Sequence, residues 1–151
     1  MTERYSNKSL KIRPATVEDI DALADLNTQL GYPTLKEQLS LRFHRLQSWQ
    51  EHAVFVATLE DGRVAGWIHV FLQPLLISEL GATIGGLVVD DSSRRLGIGE
   101  RLMNHAEQWA RERGCEVFWL RSGEARKDAH AFYTAMGYTF TKNSQTFEKK
   151  L

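Results

Sequence analysis

One segment limits the possible folds of this chain more than any other. It is an apolar strand, a polar turn with two arginines, and two glycines that open a helix. It reads Val88-Val89-Asp90-Asp91-Ser92-Ser93-Arg94-Arg95-Leu96-Gly97-Ile98-Gly99. The helix continues with an apolar stripe at Ile98, Leu102, Met103, Ala106, Trp109 and Ala110. A strand that leads directly into an amphipathic helix predicts helices layered on a sheet.

The start of this helix is also the best candidate for binding an anion. The first turn of a helix presents unpaired backbone N–H groups and the positive end of the helix dipole. Glycines let an anion approach the backbone, and arginines add charge-assisted donors. The segment therefore predicts a phosphate or pyrophosphate site. The simpler interpretation is that Gly97 and Gly99 only permit close helix–sheet packing, with Arg94 and Arg95 in solvent.

Several common motifs are absent from the sequence. No G-x-x-x-x-G-K-S/T sequence occurs, which excludes a P-loop. Leu102 stands where the dinucleotide fingerprint G-x-G-x-x-G needs its third glycine. The histidines at 44, 52, 69, 105 and 130 show neither HExxH nor paired Cys/His spacing, so no metal is predicted.

The rest of the chain alternates strand and helix patterns without an internal repeat. The patterns predict a strand at 10–14, helices at 16–30 and 34–49, strands at 53–59, 64–72 and 84–89, a helix at 98–113, a strand at 117–120, a helix at 129–136, and a terminal hairpin of 138–141 with 145–148. Asp61-Gly62 is a strong hairpin turn. Gly81, Gly85 and Gly86 indicate a bulge or a close backbone approach. This order predicts an α+β fold with α/β-type layers.

Composition narrows the class of protein. The 151 residues are 42% hydrophobic and 25% charged, which is typical of one globular domain, so we expect a lead-in at 1–9 and a single domain at 10–151. Nineteen basic and nineteen acidic residues balance, which argues against nucleic acid or membrane as a partner. The single cysteine, Cys115, begins an apolar strand and is predicted to be a core residue. Without a secretory signal or a spanning run of about 20 apolar residues, a cytoplasmic protein is expected.

Two motifs together resemble one enzyme family. Arg94-Arg95-Leu96-Gly97-Ile98-Gly99 resembles the pyrophosphate motif Gln/Arg-x-x-Gly-x-Gly/Ala of the GNAT superfamily of acyl-CoA-dependent N-acetyltransferases. Residues 129–138, AHAFYTAMGY, resemble its A-x-x-F-Y-x-x-x-G-F/Y segment. The resemblance covers about residues 10–151. It implies a GNAT-like mixed, mostly antiparallel twisted sheet flanked by about four helices, and transfer of an acetyl group from acetyl-CoA to a primary amine of a small molecule, peptide or protein.

The resemblance also assigns the contacts of the acetyl donor. Gly86-Leu87-Val88-Val89 resembles the pantetheine-binding strand, so the backbone of Leu87, Val88 and Val89 would hold pantetheine. The amides of Arg95, Leu96, Gly97, Ile98, Gly99 and Glu100, with the Arg94 side chain, would hold the pyrophosphate. Phe132 and Arg126 are further expected CoA contacts, although Arg126 stands where many members carry asparagine. A bulge near Val89 is expected to expose an N–H group to the oxyanion.

The family usually reacts by direct attack in a ternary complex, so Cys115 is not needed as a nucleophile. Tyr133 matches the family's tyrosine acid, which protonates the leaving thiolate; alternatively, it only packs on the sheet. Glu79 is the candidate base, acting directly or through water, although many relatives carry a carboxylate where this chain has Thr83. His69 is an alternative base, and a histidine within a sheet is more often structural.

The acceptor site is predicted only weakly. Tyr32, between the first two helices, lies where relatives build the acceptor pocket, and Trp67, His69 and Phe71 add a candidate aromatic wall. These aromatics fit a core role equally well. No acidic cluster suits a polycationic acceptor. The terminal hairpin is the candidate contact for a homodimer. The alternative function is a non-catalytic acyl-CoA sensor or partner-binding module on the same fold.

Overall fold

The computed structural model describes residues 9–122 and 127–151. The chain divides into two compact units, one up to Leu120 and one from Arg121 to Leu151. The first unit contains β1 (Lys11–Pro14), α1 (Ile20–Leu30), α2 (Lys36–Gln47), β2 (His52–Thr58), β3 (Val64–Gln73), β4 (Gly81–Val89), α3 (Ile98–Glu112) and β5 (Val117–Trp119), with short 3-10 turns at Val17–Asp19 and Asp91–Ser93. The second unit contains α4 (Lys127–Ala135).

The sheet of the first unit has five strands in the order β1-β2-β3-β4-β5. The first four strands are antiparallel neighbours, and β5 pairs with β4 in parallel. This confirms the predicted mixed, mostly antiparallel sheet with four helices. The β4–β5 pairing extends only from Gly81 opposite Val117 to Thr83 opposite Trp119. Beyond Thr83, β3 is the one strand that pairs with β4 in the described chain.

Each face of the sheet packs on helices. The predicted apolar stripe of α3 is confirmed, since all six of its side chains are buried. Leu102 approaches Gly66 of β3, and His105 meets the Phe55 ring edge-on at 4.5 Å. On the opposite face, Phe43 of α2 and Val56 of β2 belong to a second buried cluster, against which Trp67 packs. Side chains alternate between these two faces along each strand.

An ion pair fixes the chain between β1 and α1. The guanidinium of Arg13 donates two hydrogen bonds of 2.8 Å to the buried carboxylate of Asp19, and the Thr16 backbone N–H donates a third. The hydrogen bond from Arg13 lowers the pKa of Asp19. Thr16 and Asp19 thus form a capping box at the start of this helical segment, and Arg13 reinforces it from the neighbouring strand.

Two predictions, for the C-terminal residues and for Cys115, were wrong. The terminal hairpin is not formed, because residues 138–151 contain no strand and Phe140 and Phe147 are exposed. A two-stranded hairpin without an apolar surface to cover is marginal in water. Cys115 is only half-buried, in the turn before β5, and not part of the core.

In the described ranges, no helix is long and apolar enough to cross a bilayer.

Candidate functional site

A β-bulge lies in the middle of β4. Gly86 pairs with His69 of β3 while Ile84 pairs with Val70, so Gly85 is the extra residue. The bulge indicated by the glycines of this strand is therefore confirmed, whereas the bulge expected near Val89 is absent, since Val89 pairs regularly with Gly66. A Cβ atom at residue 85 would overlap the His69 ring at Nδ1. Only glycine fits at this exposed point of the strand.

The other two glycines of β4 also make room for aromatic rings. A Cβ atom on Gly86 would lie 2.6 Å from the Trp67 ring, and one on Gly81 would overlap the Trp119 ring. The predicted close approach at these glycines is thereby confirmed. At these glycines, rings from β3 and β5 occupy the space that a side chain of β4 would take.

The loop after β4 leads directly to the first turn of α3. Arg95 and Gly97 both have left-handed backbone conformations, with φ values of 65° and 78°. Gly97 is the N-cap residue of α3 and has no side chain to cap the first amides. Asp90 shapes the loop by accepting hydrogen bonds from the Ser92 hydroxyl, at 2.5 Å, and from the Ser92 backbone N–H, at 2.9 Å, and these bonds lower the pKa of Asp90. The loop thus leaves the first-turn donors of α3 without a side-chain partner.

The two arginines of this loop differ in their contacts. Arg94 forms a 2.7 Å ion pair with Asp91, and its Nε donates a 3.4 Å hydrogen bond to the carbonyl oxygen of Val89. Both partners in the ion pair are more than half exposed. Arg95 is exposed as well. The structure therefore holds Arg94, within the loop that was predicted to bind a pyrophosphate, against the end of β4.

A second group of predicted residues meets beside the bulge. His69 accepts or donates a 2.9 Å hydrogen bond between its Nε2 and Nδ1 of His52, a residue with no predicted role. Phe71 stacks on the His52 ring with centroids 5.1 Å apart, and Trp49 contacts the same ring at 5.4 Å. Burial, together with a smaller electrostatic effect of His52, lowers the pKa of His69 to about 4.

Trp67 and Tyr32 lie in different surroundings. Trp67 packs on the core cluster of the first unit, and among the described residues its buried Nε1 donor has no hydrogen-bond partner. Buried donors are normally satisfied, so this indole N–H is an exception among the described residues. Tyr32 lies in the connection between α1 and α2 and is 70% exposed. No contact joins Tyr32 to the rings of β3 in the described chain.

Glu79 lies in the exposed connection between β3 and β4. It precedes Gly81, which is about 13 Å along the strand from Gly85. The structure does not bring Glu79 to the histidine pair. Its role as base remains a prediction.

The remaining predicted residues lie in or next to the second unit. Tyr133 and Phe132 are on α4, where their rings meet edge-on at 5.4 Å, and the Tyr138 backbone N–H donates a 3.0 Å bond to the Tyr133 carbonyl oxygen. The expected roles of Tyr133 and Phe132 therefore stay predictions. Arg126 lies outside the described residues.

Comparisons with known proteins agree with this geometry. The chain is 46% identical to the uncharacterized N-acetyltransferase YhdJ of Bacillus subtilis over 133 residues, which covers 87% of this chain and 90% of that protein. It is 32% identical to an aminoalkylphosphonate N-acetyltransferase of Salmonella typhimurium, with 85% and 84% of the two chains covered. A crystal structure described as a transcriptional regulator from Bacillus halodurans has the same fold, with a TM-score of 0.84 at 23% identity over 93% of this chain and 99% of that one.

Residues 20–138 match the Acetyltransferase (GNAT) family. The match includes both the loop before α3 and the segment around Tyr133. The family implies acetyl-CoA as the donor and an amine as the acceptor. The chain belongs to the GNAT family and is an acetyl-CoA-dependent N-acetyltransferase.

Proposed function

We propose that this N-acetyltransferase acts on the primary amine of a small molecule, by direct attack on acetyl-CoA in a ternary complex. We further propose that residues 10–151 act as one catalytic domain. The observation that carries the proposal is the open edge of β4, which continues through the loop to the uncapped first turn of α3. An extended chain with amides can pair with such an edge while its phosphate end reaches the helix.

The donor would be held mostly by backbone groups. Leu87, Val88 and Val89 lie beyond the last residue that β5 pairs, so pantetheine could extend the sheet at this edge. The amides of Arg95 to Glu100 would bind the pyrophosphate, with the positive end of the α3 dipole behind them. Arg94 would add a charge-assisted donor after leaving Asp91. Phe132 and Arg126 remain proposed CoA contacts from the resemblance.

The reaction needs a free amine, a stabilised oxyanion and a protonated leaving group. In our proposal, Glu79 or His69 takes the proton from the ammonium, and the amine nitrogen then attacks the thioester carbonyl. A backbone N–H of β4 meets the oxyanion. Tyr133 gives its phenolic proton to the departing thiolate, whose reference pKa near 8.5 lies below that of a phenol near 10. The products are the amide and free CoA.

The acceptor that we propose is a small amine with one positive charge and an apolar or acidic body. Rings at Trp67, His69 and Phe71 share one face of β3 and provide apolar surface. The buried Nε1 donor of Trp67 would suit an oxygen of the acceptor. An aminoalkylphosphonate is the acceptor in the name of the Salmonella relative, and it has this chemistry. Tyr32 is the weakest member of the proposed pocket, since it lies on the exposed connection.

The test is a thermal-shift titration with acetyl-CoA, followed by thiol release with phenethylamine, 2-aminoethylphosphonate, a lysine peptide and spermidine. At about 100 Kd of ligand, binding adds roughly 2.7 kcal/mol to stability. We expect stabilisation and faster release with the two small monoamines than with spermidine. Stabilisation without release from any amine would contradict the proposed acceptor class. Preferred use of spermidine would contradict the monoamine pocket.

A further inference from the structure

Two histidines from neighbouring strands form one hydrogen-bonded pair. Nδ1 of His52 and Nε2 of His69 are 2.9 Å apart, and their rings stack at an angle of 27° with centroids 5.2 Å apart. The backbone register explains the meeting, because His52 lies opposite Phe71 and Val54 lies opposite His69. The two histidines are therefore diagonal neighbours on one face of the sheet, within reach of long side chains.

The second ring nitrogen of His69 is directed toward the bulge. His69 Nδ1 occupies the space where a side chain on residue 85 would begin, and Gly85 is exposed. Gly85 is two residues before Leu87, the first residue of the proposed pantetheine edge. Nδ1 of His69 thus faces the exposed backbone at Gly85, while Nε2 of His69 is hydrogen-bonded to His52.

Few charges act on this pair. β4 has no ionisable side chain, and His69 is the only ionisable residue of β3. From β2 the facing group is His52, beside which Glu51 is the one described carboxylate with an electrostatic effect on the pair. Phe71 and Trp49 contribute rings without charge. Burial lowers the pKa of both histidines, so both rings are neutral near pH 7.

We propose that His69 is the base that accepts the acceptor's ammonium proton, and that His52 is the residue that positions His69 and passes the proton toward solvent. This assignment rests on the proposed acetyl transfer. It requires that His69 carry its proton on Nε2, donated to Nδ1 of His52, so that Nδ1 of His69 has a lone pair toward the bulge.

The proton transfer balances with these two rings and water. One N–H bond of the ammonium breaks, its electron pair stays on the nitrogen, and the proton binds Nδ1 of His69. The imidazolium donates its Nε2 proton to His52, whose far nitrogen releases a proton to water. His52 also lines an open cavity of about 840 Å³ between β2 and the end of α2, which gives that water access. Exchange with water restores the starting tautomers.

The test combines kinetics with a readout that needs no turnover. Nitrogen chemical shifts of labelled histidine show which ring nitrogen of His69 is protonated. Thiol release is measured with acetyl-CoA and 2-aminoethylphosphonate or phenethylamine between pH 5 and 9. The variants are His69→Gln, His52→Phe, which keeps the ring stacking without an acceptor nitrogen, and His52→Gln, which restores an acceptor oxygen. His105→Gln, on the opposite face of the sheet, is the matched control.

We expect kcat/KM of the unsubstituted chain to vary little between pH 5 and 8. His69→Gln should lower it about 100-fold at pH 7. In this variant kcat/KM should rise about tenfold per pH unit, because only the free-amine form of the acceptor reacts. His52→Phe should lower kcat about tenfold with little change in KM. His52→Gln should recover part of this loss. His105→Gln should leave the profile unchanged.

Failure of the proposed histidine roles and failure of the proposed acetyl transfer would give different results. A proton on Nδ1 of His69, or a flat profile with unreduced turnover in His69→Gln, would overturn the role of the pair and leave the proposed acetyl transfer intact. Absence of turnover by the unsubstituted chain with every amine would overturn the proposed function and this role with it. Equal activity of His52→Phe and the unsubstituted chain would overturn the role of His52.

Discussion

The guanidinium of Arg94 lies 2.7 Å from the carboxylate of Asp91, so the arginine proposed to bind pyrophosphate already has an anionic partner. Both side chains are more than half exposed, and exposed ion pairs contribute little. A pyrophosphate should therefore displace Asp91. We expect Arg94→Ala to weaken acetyl-CoA binding about tenfold, and Asp91→Asn to strengthen it about twofold, by calorimetry.

A matched control is Arg111→Ala, near the other end of α3. It removes a positive charge of the same helix without touching the loop. Binding as tight in Arg94→Ala as in Arg111→Ala would show that Arg94 does not contact the donor.

Tyr133→Phe tests the proposed acid. A thiolate leaves fairly well without help, so the loss of turnover should be modest, at most about 100-fold, with acetyl-CoA affinity unchanged. Thiol release and calorimetry measure the two quantities. Tyr138→Phe removes a second phenol, whose ring is 6.0 Å from that of Tyr133, and should keep turnover. A change in stability alone would refute the acid role.

Substitution of Cys115 tests whether the amine attacks acetyl-CoA directly, without an acyl-enzyme. Burial raises the pKa of its thiol, which disfavours the reactive thiolate. We expect Cys115→Ala to keep full turnover, and iodoacetamide to modify the folded chain slowly at pH 7. Mass spectrometry during turnover should find no acetyl group on this residue. Loss of turnover in Cys115→Ala with unchanged folding would instead indicate an acyl-enzyme.

Stability should depend on pH through the half-buried His69. The folded-state pKa of His69 is about 4, below its ordinary value of 6.5, so the unfolded chain binds an additional proton between these two pH values. Stability is therefore lost as pH falls from about 6.5 to 4, by up to about 1.4 kcal/mol per pH unit for this histidine. Urea unfolding at several pH values should show that the free energy of unfolding depends less steeply on pH in His69→Gln than in the unsubstituted chain. An unchanged slope would contradict the burial of a neutral ring.

The close contact of Gly81 with Trp119 predicts a coupled effect on folding. Gly81→Ala places a methyl group inside the indole ring, and overpacking of this kind destabilises by about 1–3 kcal/mol. The smaller side chain in Trp119→Leu should relieve the overlap. Urea unfolding of the double variant should show a smaller loss than the sum of the two single variants. If the losses of the two single variants simply add in the double variant, β4 shifts to accommodate the methyl group instead.

The sequence predicts the order of the elements well, because apolar spacing and turn residues are local signals. The histidine pair was not predicted, because the β2–β3 register shifts between Ala57 and Thr58, so the pairing of His52 with Phe71 does not follow from the Asp61-Gly62 turn alone. The glycines of β4 correctly indicated a bulge, but the bulge expected to bind the oxyanion was placed near Val89, because the strand pairing that decides its position is not a local signal. The terminal hairpin failed for a similar reason: alternation at Phe140 and Phe147 says nothing about a surface to cover them.

The short pairing of β5, which ends at Thr83, has a consequence for how such sequences diverge. A donor held at this edge by main-chain groups makes few demands on the side chains at positions 87–89, beyond their fit in the core. Substitutions can therefore accumulate along the binding strand without loss of the cosubstrate. Selection would act instead on the glycines, where any added carbon meets a ring. Mutational tolerance along β4 should accordingly be lowest where its residues are smallest.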